Sequence, residues 1–110
     1  MVTYEAILAA WETWHTSRST RDWDALWLLT QERMEILIKA SLRGRRVGDD
    51  ELHGMIADAT CSVMERLRAA QYADLAWIES RLHLVAGAAI TGYVRRLKRA
   101  DTETPLDDVW

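Results

Sequence analysis

The stretch Asp74–Arg99, DLAWIESRLHLVAGAAITGYVRRLKR, decides how this chain is read. Leu75, Ile78, Leu82, Val85, Ala89 and Tyr93 recur at the three- and four-residue steps of one helix face. At 1.5 Å per residue such a helix spans roughly 39 Å. Its far end, Tyr93-Val94-Arg95-Arg96-Leu97-Lys98-Arg99, places four bases in the last five residues. Bases in a last turn complement the helix dipole, but four exceed what that requires. The stretch therefore joins a core-forming stripe to a positively charged tip, which is either solvated or turned toward an anionic partner.

Three further helices precede it. Thr3 is placed to cap a first helix over 4–15, with Tyr4, Ile7, Leu8, Trp11, Trp14 and His15 along one side. Ser19 followed by Asp22 signals the start of a second helix over 21–43. Its inward stripe is Trp23, Leu26, Trp27, Thr30, Met34, Leu37 and Ile38, and Gly44 is its expected stop. A basic turn, Gly44-Arg45-Arg46-Val47-Gly48, leads to a third helix over 50–70. Asp49, Asp50 and Glu51 suit its positive N-terminus, and Leu52, Ile56, Ala59, Val63, Leu67 and Ala70 form its stripe.

The 110 residues make one domain, large enough to bury a core without covalent staples. Glycine is scarce and Pro105 is the only proline, against the turn-rich pattern of a β protein. The expected fold is an all-α, compact bundle of four helices over residues 1–100 with a loose acidic tail over 101–110. Cys61 is the only cysteine, so no disulfide forms within the chain. Neither a signal peptide nor a run of ~20 apolar residues is present. The plain expectation is a soluble cytoplasmic protein with a reduced thiol.

The net charge of −3 is unevenly placed. Asp101, Glu103, Asp107 and Asp108 lie in the tail, and the rest of the chain is +1 (14 bases against 13 acids). Long-range steering toward nucleic acid is therefore weak, and any such binding must rest on a local patch.

Little in the chain points to catalysis. His15, His53 and His83 fall on three different helices, without metal-ligand spacing. Gly44 and Gly48 lack a phosphate-loop context. No pair of carboxylates is placed for acid–base work. The expectation is a protein with no cofactor and no metal that is not an enzyme. Six tryptophans are many for this length. Trp11 with Trp14, and Trp23 with Trp27, share helix faces and read as core or as a seam between the first two helices. Trp77, beside the inward Ile78, is the better candidate for a partly exposed aromatic platform.

The order of elements over about residues 20–99 resembles region 2 of the sigma-70 family of bacterial RNA polymerase initiation factors. Asp49-Asp50-Glu51-Leu52 is similar to the acidic start of that family's clamp-binding helix. Leu75-Ala76-Trp77-Ile78 is similar to the opening of its promoter helix, and Tyr93–Arg99 to its ending. Asp22-Trp23-Asp24-Ala25-Leu26 resembles the lead into the preceding helix. The resemblance implies docking on the polymerase core, at the clamp helices of its largest subunit, through Asp49, Asp50, Glu51, Leu52, His53 and Ile56. It further implies DNA contacts through Trp77, Tyr93, Arg95, Arg96, Lys98 and Arg99. Gly87-Ala88-Ala89-Ile90-Thr91-Gly92 stands where that family has polar residues, and no second DNA-binding domain follows. The implied role is thus an initiation factor or phage-type regulator of transcription with weak or no promoter reading.

Two alternatives stand beside it. Asp24–Arg33 is similar to the first helix of the helical chorismate mutases, which bind a dicarboxylate between Arg and Lys side chains. The chain also reads as a helical interaction module, or as a homodimer built on its tryptophan pairs.

Overall fold

The computed structural model describes the backbone of residues 2–109 and the side chains of residues 2–100. It is an all-α bundle of four helices: α1 (Tyr4–Ser17), α2 (Thr20–Leu42), α3 (Asp49–Ala69) and α4 (Leu75–Val109).

Each start follows from local chemistry. The Thr3 hydroxyl accepts from the Ala6 N–H at 3.1 Å, and the Ser19 hydroxyl accepts from the Asp22 N–H at 3.1 Å. Asp74 Oδ1 accepts from the Trp77 N–H at 2.8 Å and so caps α4. These bonds satisfy N–H groups that have no partner inside the helix. Gly48 offers no such bond to α3, where Asp49, Asp50 and Glu51 oppose the positive end of the dipole instead.

Two ends differ from expectation. α2 stops at Leu42, and Arg43 and Gly44 both turn left-handed, at φ 35° and 76°. α4 does not stop at Arg99 but continues through Pro105 to Val109. No glycine follows Arg99 to end the helix, and the remaining bonds of the ladder carry it past the one missing proline N–H. The side chains of the acidic tail lie outside the described residues. With 35 residues, α4 extends about 52 Å and sets the long axis of a molecule measuring 61 × 24 × 22 Å.

α2 and α4 touch one another and both remaining helices, while α1 and α3 flank this pair on opposite sides. The direction of α1 is fixed by its ends. Tyr4 meets Arg33 and His83, whereas Trp14 packs on Trp23 with ring centroids 4.7 Å apart. Trp11 crosses to α3, its Nε1–H donating to the Leu67 carbonyl at 2.9 Å. Both tryptophans of α1 are thus buried, and Trp23 and Trp27 are half-buried. Trp14 and Trp23 meet in a seam between α1 and α2.

Ile7, Leu26, Met34, Ile38, Val63, Met64, Leu67, Ile78 and Leu82 are the fully buried apolar centre. Burying each of these contributes about 1.5–3 kcal/mol. Met55, Thr60, Met64 and Ala86 are buried although the stripes drawn from sequence omit them. The reason is position: α3 presses on two neighbours and α4 on three, so each buries a wider arc than one seam of three- and four-residue steps.

At the α1–α2 turn, the Ser17 hydroxyl donates to Asp22 Oδ2. Hydrogen bonds from Ser17 and then Ser19 hold the Asp22 carboxyl below its ordinary pKa, because they favour the charged form.

Candidate functional site

The acidic start of α3 and the basic part of α4 lie side by side. Arg96 donates to Glu51 Oε1 at 2.8 Å across the two helices. The two residue sets expected to meet different partners are therefore joined into one surface whose charges partly cancel. Asp50, Glu51, Gly54, Met55, Asp58 and Arg96 line a shallow polar depression there.

Asp49, Asp50, Glu51 and His53 are exposed, and Leu52 is half-buried. Ile56 is only 4% exposed and belongs to the core, so its side chain cannot reach a partner. Arg95, Arg96, Lys98 and Arg99 are exposed, but Tyr93 is buried at 7%. Trp77 is half-buried beneath Arg81, whose guanidinium carbon stands 5.4 Å from the ring centroid. Sixteen residues separate Trp77 from Tyr93, about 24 Å along the helix. These residues do not form one nucleic-acid platform, and the basic run lies within α4 rather than at its tip.

Other candidates serve the fold. The Tyr4 hydroxyl and His83 Nε2 are hydrogen-bonded at 2.8 Å, and the His15 ring stacks on Trp11 at 4.6 Å. Arg33 lies over the Tyr4 ring at 4.5 Å and reaches the Val2 carbonyl at 3.5 Å, which ties the start of α1 to α2. The Thr30 hydroxyl and Arg33 Nε are buried without a hydrogen-bond partner. Among the described residues, no group of His, Cys, Asp and Glu could hold a metal ion, and no helix is long and apolar enough to cross a membrane.

A surface that the charge pattern did not reveal runs along the outer side of α4. Trp77, Arg81, Leu84, Ala88, Thr91 and Arg95 succeed one another at alternating four- and three-residue steps, with Ser80 and Gly87 beside them. Leu84 is 62% exposed, and Ser80, Gly87, Ala88 and Thr91 are also exposed. Ala76, Trp77, Ser80, Arg81 and Leu84 enclose a shallow, mainly apolar depression. Residues 82–94 contain no Asp, Glu, Lys or Arg on any side of the helix. That uncharged run, between the inward stripe and the basic end, is the sequence signal for this face.

No protein-family model, no curated protein and no solved structure matches this chain. Transcription, transcription regulation, sigma factor, RNA polymerase binding and DNA binding therefore have no support from any known family, and these descriptions are withdrawn.

Proposed function

We propose that this chain is a helical protein-interaction module, acting by binding rather than catalysis, and that the outer side of α4 is its binding face. One observation carries this reading: residues 82–94 are uncharged all round, yet Leu84, Gly87, Ala88 and Thr91 face solvent. A helix on the surface of a bundle ordinarily keeps a charged or polar outer face, and a helix apolar all round is ordinarily buried. A single exposed leucine needs no explanation, but about four turns of helix without a charge do. Covering that side with another helix gives it the surroundings its composition suits.

The test is a photoreactive side chain placed at residue 84 of the full chain, with the same group at exposed Thr13 on α1 as control. The interaction reading expects discrete adducts from position 84 inside the producing cell and none from position 13. Equal or absent labelling at both positions would refute it.

A further inference from the structure

We infer that the occupant of the outer α4 face is a second copy of this chain, docked antiparallel about a two-fold axis at Leu84. The inference rests on the interaction-module reading and names its partner.

The face is self-complementary in size. In an antiparallel pairing centred at Leu84, each residue of one helix meets the residue as far along the other helix in the opposite direction. Leu84 meets Leu84 of the partner subunit. Trp77 then lies opposite Thr91 of the partner subunit, and Arg81 opposite Gly87 of the partner subunit and next to Ala88 of the partner subunit. The bulky side chains at the N-terminal half of the face thus meet small ones at the other half. Gly87 fits the same scheme: a Cβ built there meets nothing within 4 Å in this chain, so no contact within the subunit calls for glycine. A glycine inside a helix costs about 1 kcal/mol relative to alanine, and close approach of a second helix supplies a reason to keep it.

The charges match as well. Asp58 shares a groove with Ala88, together with Ala59, Ser62, Val85 and Ala89. The guanidinium of Arg81, arriving opposite the partner's Gly87 and next to the partner's Ala88, comes beside Asp58 of the partner subunit. At the outer end Arg95 arrives near Asp74 of the partner subunit, since the two positions lie 11 and 10 residues from Leu84. Both Asp58 and Asp74 are exposed, and by two-fold symmetry each pairing occurs twice. The parallel arrangement would instead set Arg81 against Arg81 and Arg95 against Arg95, which like-charge repulsion disfavours. One helix face some 29 Å long is short for an obligate dimer, so the pair dissociates on dilution.

The experiment is a cysteine placed at the axis, Leu84→Cys, in a Cys61→Ser background. Because Leu84 is mostly exposed, this variant keeps its fold. Mild oxidation should give a disulfide-linked dimer, and Thr13→Cys in the same background should not. Sedimentation of the unmodified chain over a micromolar range should show reversible dimerisation. Arg81→Glu should weaken it about tenfold, and adding Asp58→Lys should restore most of that loss. A chain that stays monomeric, cross-linking no faster at position 84 than at 13, or failure of the charge swap to restore association would overturn the inference. Adducts of a different mass from position 84 in the cell would then keep the interaction reading while rejecting the second copy. No adducts at all would reject both.

Discussion

Three glycines provide a signed test of the packing. Gly87 in α4 and Gly54 in α3 lie inside helices, with nothing within 4 Å of an added Cβ. Alanine at each should gain about 1 kcal/mol, since glycine gives up more backbone freedom on entering a helix. For 110 residues the unfolding entropy is about 0.23 kcal/mol per degree, so each change should raise Tm by about 4 °C. The two sites lie on different helices and have no neighbour in common within that radius, so the double variant should gain about 8 °C. Gly44 also has open space around it, but its φ is +76°. There a Cβ meets backbone strain of about 1–2 kcal/mol, and Gly44→Ala should lower Tm by several degrees. Thermal unfolding followed by circular dichroism at low micromolar concentration would measure all three. A fall in Tm for Gly87→Ala would mean that the outer side of α4 is filled within the subunit, contrary to the geometry. A rise for Gly44→Ala would mean that the turn after α2 is not left-handed. At higher concentration Gly87→Ala should also weaken self-association while strengthening the subunit, a reversal that helix propensity alone does not give.

Other substitutions probe the rest of the bundle. Thr30→Val replaces a buried, unpartnered hydroxyl by a methyl group of similar shape and should stabilise by about 1 kcal/mol in urea denaturation; a loss of that size would show that the hydroxyl has a partner. Trp11→Phe removes the buried bond to the Leu67 carbonyl and should cost about 1–3 kcal/mol, against no loss if α1 does not dock on the end of α3. Arg96→Ala breaks only an exposed ion pair and should cost less than about 1 kcal/mol, with the difference fading in high salt; a large, salt-independent loss would contradict the exposure of the pair. The depressed pKa of Asp22 means that its stabilising effect is present above the ordinary carboxylate pKa and disappears as pH falls through the lower folded-state value. Ser17→Ala should therefore move the Asp22 titration, followed by NMR, up toward the ordinary value, and an unmoved titration would remove Ser17 as the cause.

Helix number, order and most inward residues were legible because they depend on local chemistry. The side chains of Thr3 and Ser19 cap their own helices, and Ile7, Leu26, Met34, Val63, Ile78 and Leu82 fall at helical spacing whatever lies opposite. The tryptophan seam was legible for the same reason, since Trp14 and Trp23 flank one short turn. Partners distant in sequence were not legible. Nothing local tells that Arg96 reaches Glu51, that Tyr4 reaches His83, or that Trp11 spends its N–H on Leu67. Those contacts depend on how the helices cross, and they turned a supposed charged tip into a partly neutralised surface and two of the three scattered histidines, His15 and His83, into structural ring contacts. Composition by itself determined that α4 is uncharged from residue 82 to 94, and only the tertiary structure decided which side of that run is left uncovered. The physical reason is that a helical period says which residues share a face, while the number and placement of neighbouring helices decide which faces are buried.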